Sequence, residues 1–262
     1  MDFGLKGKTA LVLAGGGGLG RAITLALARE GANVAFAGLG SNGIAGTEAA
    51  LAEAGGGKGI GLVWDFADLS QIDPNVSKVE SDLGPVDILV NMTGGPPPTP
   101  AGGQDPALWS KHFQAMVLSV IAITDRVLPR MKARHWGRVI TNTSSGIVAP
   151  IPNLGLSNAL RMSLVGWSKT LAREVGKDGI TANIVVPGRI ATGRLQFLDE
   201  TKAKREGRTA EDVAAESAAG IPLGRYGKPE EYADVVTFLA SERAAYITGS
   251  VIRVDGGMIP SV

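Results

Sequence analysis

The stretch LVLAGGGGLGRAITLALAREG, residues 11–31, runs from a short apolar segment through four consecutive glycines into an amphipathic segment. This order predicts a buried strand, a tight turn and a helix. Glycine suits such a turn because a Cβ would keep a pyrophosphate away from the backbone. The predicted helix begins at Gly18, Leu19 and Gly20, so its first N–H groups and its dipole can face an anion. The stretch, with Gly16 in its turn, therefore predicts a dinucleotide-binding loop.

Short apolar runs alternate with amphipathic runs along the rest of the chain. The apolar runs predict strands at residues 9–14, 33–38, 59–64, 86–91, 137–142, 181–186 and 250–255. The amphipathic runs predict helices, among them 18–30, 107–134, 157–175 and 229–241. The strand runs are apolar on both faces, as in a parallel sheet that helices cover on both sides. We therefore expect an α/β fold of the Rossmann type, with one doubly wound, seven-stranded parallel sheet in a single domain over residues 1–262.

The segment 193–222 interrupts this alternation with charged helical pieces, DETKAKREGRTAEDVAAES. An insertion that follows the carboxyl end of a strand lies beside the ligand crevice of a doubly wound sheet. The segment is therefore expected to form either a lid over the crevice or a solvated helical excursion.

The composition limits the class of protein. The chain has 262 residues, a net charge of +1 and 44% hydrophobic residues, which is typical of a globular domain without a nucleic-acid or anionic-membrane partner. The absence of cysteine excludes disulfides and thiolate chemistry, and two histidines are too few for a His-rich metal site. The N-terminal apolar run fits a strand better than a signal peptide, and no run reaches the ~18–20 residues of a membrane helix. We therefore expect a cytoplasmic protein without a metal.

The ends of the second and third predicted strands carry the candidate adenosine contacts. A carboxylate at the end of the second strand would bind the ribose and reject a 2′-phosphate. Gly38 occupies that place with neither an acid nor a base beside it, so the sequence predicts NAD or NADP without selecting between them. Asp65 ends the third strand and, with Phe66 next to it, is a candidate partner for the adenine amino group. In the alternative interpretation, Asp65 caps the following helix.

A set of motifs occurs in order along nearly the whole chain. They are GGGGLGRA at 15–22, Asp65, NMTGG at 91–95, GRVITNTSSG at 137–146, VVPGRIAT at 185–192, and IPLGRYGKPEEYADVVTFLAS followed by TGSVIRVDGG near the end. With these motifs the chain resembles the short-chain dehydrogenase/reductase superfamily, close to the β-ketoacyl-carrier-protein reductase type. The resemblance implies NAD(P)-dependent oxidoreduction of a carbonyl or hydroxyl group on a small molecule.

The resemblance also assigns roles to single residues. Gly18 and Gly20 match the second and third glycines of the family's cofactor loop, and Ala14 stands in place of the first. Asn91 matches the asparagine that braces the sheet on the adenosine side, and Ser144 matches the serine that polarises the substrate carbonyl. Further cofactor contacts are expected at Thr93, Gly94, Pro187, Gly188, Ile190 and Thr192, the last four of them at the nicotinamide.

Three positions depart from the family's catalytic set. Ser157 replaces a tyrosine, Arg161 replaces a lysine and Met116 replaces an asparagine. A serine hydroxyl is shorter than a phenol of pKa ~10 and is a far weaker acid. Arg161 keeps a positive charge but cannot give up its proton. We therefore expect Ser144, Ser157 and Arg161 to form an atypical catalytic set that lacks the usual proton relay.

Three functions are compatible with these departures. They are an oxidoreductase that takes its proton from water or the substrate, a lyase-type enzyme, and a cofactor-binding or structural subunit with little turnover. The retained nicotinamide segment favours the first. Arg189 and Arg194 flank that segment and, with Arg161, are candidates to select an acidic substrate, although Arg194 could equally pair with the acidic residues that follow it. The resemblance further implies a homodimer or homotetramer formed through the helices at 107–134 and 157–175.

Overall fold

The computed structural model describes residues 2–261, and one seven-stranded sheet runs through them. Its strands are β1 (Thr9–Val12), β2 (Asn33–Gly38), β3 (Gly59–Val63), β4 (Ile88–Asn91), β5 (Gly137–Asn142), β6 (Ile180–Pro187) and β7 (Val251–Val254). Neighbouring strands pair in parallel in the order β3-β2-β1-β4-β5-β6-β7. The predicted doubly wound parallel sheet is confirmed.

Helices cover both faces of this sheet. They are α1 (Gly18–Arg29), α2 (Ser41–Ala54), α3 (Ile72–Asp82), α4 (Pro106–Phe113), α5 (Ser119–Ala133), α6 (Gly155–Val175), α7 (Gly193–Glu206), α8 (Ala210–Ala219) and α9 (Pro229–Ala240). Successive side chains of a strand point to opposite faces, so Leu11 and Val12 of β1 enter different core layers. Val12 packs in the layer of Ile23 and Val236, from α1 and α9, whereas Leu11 packs in the layer of α3, α5 and α6. This two-sided burial explains why the central strand runs are largely apolar on both faces, whereas β3 and β7 at the sheet edges are only partly buried.

The predicted helix at 107–134 contains a turn that periodicity did not reveal. Between α4 and α5 the backbone is π-helical over Gln114–Leu118. A π-turn adds one residue to a helical turn and therefore rotates the side chains that follow. Met116 lies in this turn, is 2% exposed and packs with Leu156 and Leu160 of α6. The position at which the resemblance leads us to expect an asparagine is thus part of an apolar contact here.

The segment 193–222 contains two helices, α7 and α8, which contact each other. The residue before each helix is a threonine, Thr192 for α7 and Thr209 for α8. Its hydroxyl oxygen accepts a hydrogen bond from a backbone N–H of the first turn and so caps the helix. α7 follows directly on the loop after β6 and therefore starts at the carboxyl edge of the sheet. Over residues 2–261, no helix is both long and apolar enough to cross a membrane.

Candidate active site

The glycine-rich loop lies at the carboxyl end of β1, where the strand order reverses between β1 and β4. Ligands of doubly wound sheets bind in the crevice at this point. Gly17 is the N-cap residue of α1 and no side chain caps this helix, so its first N–H groups are available to an anion. The turn uses left-handed backbone at Ala14, with φ 53°, and at Gly18, with φ 50°.

The glycines at this edge of the sheet serve two different purposes. A Cβ on Gly20 would lie 2.1 Å from the carbonyl oxygen of Ala14, so this glycine lets α1 pack onto the loop. A Cβ on Gly17 or on Gly94 would meet nothing within 4 Å, and one on Gly38 would meet its nearest neighbour only at 3.9 Å. These three glycines therefore border open space along the ends of β1, β2 and β4.

Asp65 follows β3 and is exposed at the same edge. Its Oδ1 accepts the backbone N–H of Ala67 at 2.9 Å, while Oδ2 has no hydrogen-bond partner among residues 2–261. The cap of the next helical turn is Asp68, whose carboxylate accepts the N–H of Ser70. Asp65 is therefore not the helix cap of the alternative interpretation. Phe66 beside it is buried and packs edge-to-face on Trp64, with 5.6 Å between the ring centroids.

Asn91 ends β4 and connects three elements of the fold. Its Nδ2 donates to Thr124 Oγ1 of α5 at 3.1 Å and approaches Thr141 Oγ1 of β5 at 3.5 Å. Its Oδ1 is buried without a partner. The side chain thus lies inside the sheet edge as a brace, just before Thr93 and Gly94 turn into the crevice.

The segment after β6 lies opposite the glycine loop. Gly188 donates its N–H to the carbonyl of Val254, and a Cβ on Gly188 would lie 2.5 Å from Asp255 Cα. Pro187 ends β6, and Ile190 is buried. A Cβ on Gly18 would lie 3.8 Å from the side chain of Thr192, so the two predicted cofactor segments, far apart in sequence, face each other across the crevice.

Ser144 and Ser157 lie on two elements that pack together. Ser144 precedes a short 3₁₀ turn, Ser145–Ile147, and its Oγ accepts the N–H of Gly146 at 3.2 Å. Ser157 lies in the first turn of α6, which packs against that 3₁₀ turn, and it is 9% exposed. The hydroxyl of Ser157 makes no hydrogen bond within residues 2–261. Both serines therefore have a hydroxyl proton that is free for a ligand.

Arg161 lies one helical turn after Ser157 and is 7% exposed. Its Nη2 donates to the carbonyl oxygens of Thr93 at 3.4 Å and Gly94 at 3.2 Å, while its Nη1 is buried without a partner. Burial lowers the pKa of Arg161 to about 10, and the positive charge of Arg194 lowers it as well. Because no carboxylate of residues 2–261 pairs with it, Arg161 is a buried cation at neutral pH without a counter-ion.

Arg189 and Arg194 have different surroundings. Arg189 Nη1 donates to Oδ1 of the buried Asp199 on α7 at 3.2 Å, and Tyr226 donates its hydroxyl to Oδ2 of the same carboxylate at 2.8 Å. Arg194 is five residues before Asp199 on α7, which places it about 140° away around the helix axis. The arginine that pairs with the acidic helix is therefore Arg189, not Arg194, and its charge is already neutralised.

Asp199→Asn is expected to loosen α7 from the body of the protein. An amide cannot neutralise Arg189, and the half-buried ion pair and the bond from Tyr226 together are worth about 1–3 kcal/mol. We expect trypsin to cleave within α7, at Lys202 or its basic neighbours, about tenfold faster than in the unmodified protein. Glu211→Gln, which changes an exposed carboxylate of α8, is the matched control. Equal cleavage rates for the two variants would show that Asp199 does not hold α7.

Asn142 and Tyr232 form a buried contact that the sequence did not indicate. Tyr232 of α9 donates its hydroxyl to Asn142 Oδ1 at 2.5 Å and lies 3.3 Å from the carbonyl of Val185. Burial raises the pKa of Tyr232, so the phenol stays protonated and remains a donor. Asn142 ends β5 two residues before Ser144, and the bond fixes its amide beside the crevice. The available signal was an amide at the end of a predicted strand.

Known sequences and structures resemble the chain over almost its whole length. The sequence profile of a family described as Enoyl-(Acyl carrier protein) reductase matches residues 13–259. The 3-oxoacyl-(acyl-carrier-protein) reductase of Escherichia coli is 36% identical over 260 residues, which cover 98% of this chain and 99% of that protein. The D-beta-hydroxybutyrate dehydrogenase of Cupriavidus necator is 34% identical over 261 residues, with 97% and 99% covered. The crystal structure of L-sorbose reductase from Gluconobacter frateurii, complexed with NADPH and L-sorbose, has a TM-score of 0.94 at 31% identity and 100% coverage of both chains.

Proposed function

The chain belongs to the short-chain dehydrogenase/reductase superfamily, and we propose that it is an NAD(P)-dependent reductase of a small carbonyl compound that Ser144, Ser157 and Arg161 bind. One observation carries the proposal. The glycine loop and the segment ending at Thr192 face each other at the point where the strand order reverses, and the two free serine hydroxyls and Arg161 lie at the same edge of the sheet. A carbonyl group placed there would meet hydrogen-bond donors and a positive charge.

The residues at the crevice fit a nicotinamide dinucleotide. The uncapped first turn of α1 offers N–H groups to the phosphates, and the open space at Gly38 and Gly94 leaves room for the ribose units. The free Oδ2 of Asp65 would accept a hydrogen bond from the adenine amino group. The segment from Gly188 to Thr192 would hold the nicotinamide. When bound, the reduced cofactor supplies the hydride for the carbonyl carbon.

The side chains act on the carbonyl oxygen. The hydroxyls of Ser144 and Ser157 donate hydrogen bonds to it and favour the negative charge that develops as the carbon is reduced. Arg161 adds a positive charge in a poorly solvated position, where electrostatic stabilisation is stronger than in water. Neither a serine hydroxyl nor a guanidinium releases a proton near neutral pH, so water supplies the proton that completes the alcohol.

A second candidate function is cofactor binding with little turnover. The observation that favours it is the apolar contact of Met116 with Leu156 and Leu160, which fills the place of a polar relay group. A protein of this kind would bind the cofactor through the same loop but reduce carbonyl compounds slowly or not at all.

Oxidation of NADH and NADPH in the presence of small ketones, oxo acids and oxo esters separates these functions. We expect turnover of at least one class, and at least about a tenfold loss in Ser144→Ala and in Ser157→Ala with unchanged cofactor affinity. Ser163→Ala, on the exposed side of α6, is the matched control. Cofactor binding without turnover of any carbonyl compound would contradict the reductase and favour the second candidate.

We also propose that α4, α5 and α6 join two or four copies of the chain. Phe113 of α4, Leu118 of the π-turn before α5 and Met162 of α6 are 43%, 37% and 45% exposed, and exposed apolar side chains on packed helices are typical of a subunit contact. Sedimentation of the protein and of Leu118→Glu tests this. A monomer at micromolar concentration would contradict it.

A further inference from the structure

Building on the proposed function, we propose that the substrate carries a carboxylate close to its reacting carbonyl, as in a small oxo acid, and that Arg194 and Arg161 bind this carboxylate together. The proposal names the class of substrate and assigns a binding role to Arg194, which the reductase chemistry itself does not need.

The site holds a buried positive charge that no acidic side chain of residues 2–261 balances. Arg161 is 7% exposed, and among residues 2–261 neither Arg161 nor Arg194 pairs with an acidic side chain. A buried charge without a partner is unfavourable by several kcal/mol, so proteins pair such groups with a counter-ion. The one charged neighbour that acts on Arg161 is Arg194, another cation. Tyr232 is also near, but its phenol stays protonated and contributes no negative charge. Arg194 is exposed and solvated by water, so the missing counter-ion is that of the buried Arg161, and it has to come from a ligand.

The guanidinium groups of Arg161 and Arg194 approach the same place, in front of Gly95. A Cβ placed on Gly95 would lie 3.8 Å from Arg161 Nη2 and 3.8 Å from Arg194 Nη2. The space in front of Gly95 is thus flanked by one arginine from α6 and one from α7. A glycine at this position leaves that space free. Nη2 of Arg161 already donates to Thr93 and Gly94, but its Nη1 has no partner and Arg194 makes no hydrogen bond within residues 2–261, so the pair keeps N–H donors that suit the oxygens of a carboxylate.

The orientation of Arg194 has a local cause. Its Cζ lies 5.7 Å from the ring centroid of Phe197, which is one helical turn further along α7. A cation over an aromatic face is attracted without being neutralised. Arg189, the neighbouring candidate, is excluded because Asp199 already pairs with it. Of the two arginines that flank the nicotinamide segment, only Arg194 keeps an unbalanced charge.

Hydroxyl groups of a bound cofactor do not explain both arginines. A ribose hydroxyl would satisfy the free Nη1 of Arg161, but it carries no charge and would leave this buried cation unbalanced. The phosphates, which do carry charge, are expected at the first turn of α1. A carboxylate of the substrate satisfies the donors and balances the charge at once.

Matched acids and esters test the proposal. The probes are pyruvate, acetoacetate and levulinate, each compared with its methyl ester, with NADH or NADPH according to which one the protein binds. We expect kcat/KM for at least one acid to exceed that of its ester at least tenfold. Arg194→Gln is expected to lower this ratio at least fivefold and to leave the ester rate within twofold. Arg173→Gln, an exposed arginine of α6, is the control and should leave both rates unchanged.

If turnover is too slow to measure, binding of the acids tests the same proposal. The same acids are titrated into the protein–cofactor complex while nicotinamide fluorescence is followed. Saturable binding of an acid but not of its ester, lost in Arg194→Gln, supports the proposal. Equal rates and equal binding of acid and ester, or an acid preference that survives in Arg194→Gln, overturn it and leave the reductase intact. Absence of cofactor binding is a separate result, because it removes the proposed function and this inference with it.

Discussion

Arg161→Met is expected to lower the reductase activity at least about 100-fold and at the same time to make the protein more stable. The activity falls because the charge that stabilises the developing alkoxide is lost, and removal of one such group typically costs about 3–4 kcal/mol of transition-state stabilisation. The stability rises because a buried cation without a counter-ion is replaced by an apolar side chain of similar length. We expect the free energy of unfolding to increase by about 1–3 kcal/mol, as for other buried charges replaced by apolar groups.

Two variants serve as controls for this result. Arg161→Lys keeps a positive charge and should retain part of the activity. Arg173→Met changes an exposed arginine of the same helix and should alter stability by less than about 0.5 kcal/mol. Urea unfolding and kcat/KM are the measurements. If Arg161→Met were less stable and as active as the unmodified protein, the guanidinium would be a structural group that holds the loop at Thr93 and Gly94.

Gly20→Ala is expected to abolish cofactor binding. The added methyl group would lie 2.1 Å from the carbonyl oxygen of Ala14 and 2.9 Å from Gly15 Cα, and backbone atoms cannot give way as a flexible side chain could. The loop would have to move away from α1, which removes the N–H groups from the phosphates and lowers stability by about 2–4 kcal/mol. We expect the dissociation constant of the cofactor to rise more than 100-fold.

Gly17→Ala is the matched control for this change. It lies in the same loop, but a Cβ there meets nothing within 4 Å and its backbone, with φ −174°, suits any residue. Its free energy of unfolding should stay within about 0.5 kcal/mol of the unmodified protein. If Gly20→Ala bound the cofactor as well as the unmodified protein, the loop could not be the phosphate site.

The sheet could be predicted from the sequence because each strand is a short apolar run between amphipathic ones. The apolar runs are most distinct in strands whose two faces are both buried, as in Gly137–Asn142 and Ile180–Pro187. The observed ends of these two strands lie within one residue of the predicted ends. The π-turn at Gln114–Leu118 escaped prediction because a single inserted residue changes the direction of side chains without changing the apolar composition.

The site was predictable where its residues share one element. Ser157 and Arg161 are four residues apart on α6, so their shared face follows from helix geometry alone. The ion pair between Arg189 and Asp199 could not be predicted from the sequence, because it depends on which side of α7 faces the body of the protein. The bond between Tyr232 and Asn142 joins residues 90 positions apart, and only the packing of α9 against the sheet brings them together.

The central claim is that this crevice binds a nicotinamide cofactor for reduction, and a titration tests it most directly. The purified protein is titrated with NAD⁺, NADH, NADP⁺ and NADPH while melting temperature and nicotinamide fluorescence are followed. We predict saturable binding of one reduced form in the micromolar range, with a rise in melting temperature, because a ligand that binds only the folded state stabilises it. The form that binds would also decide the specificity that Gly38 leaves open. No change with any of the four nucleotides would contradict the account.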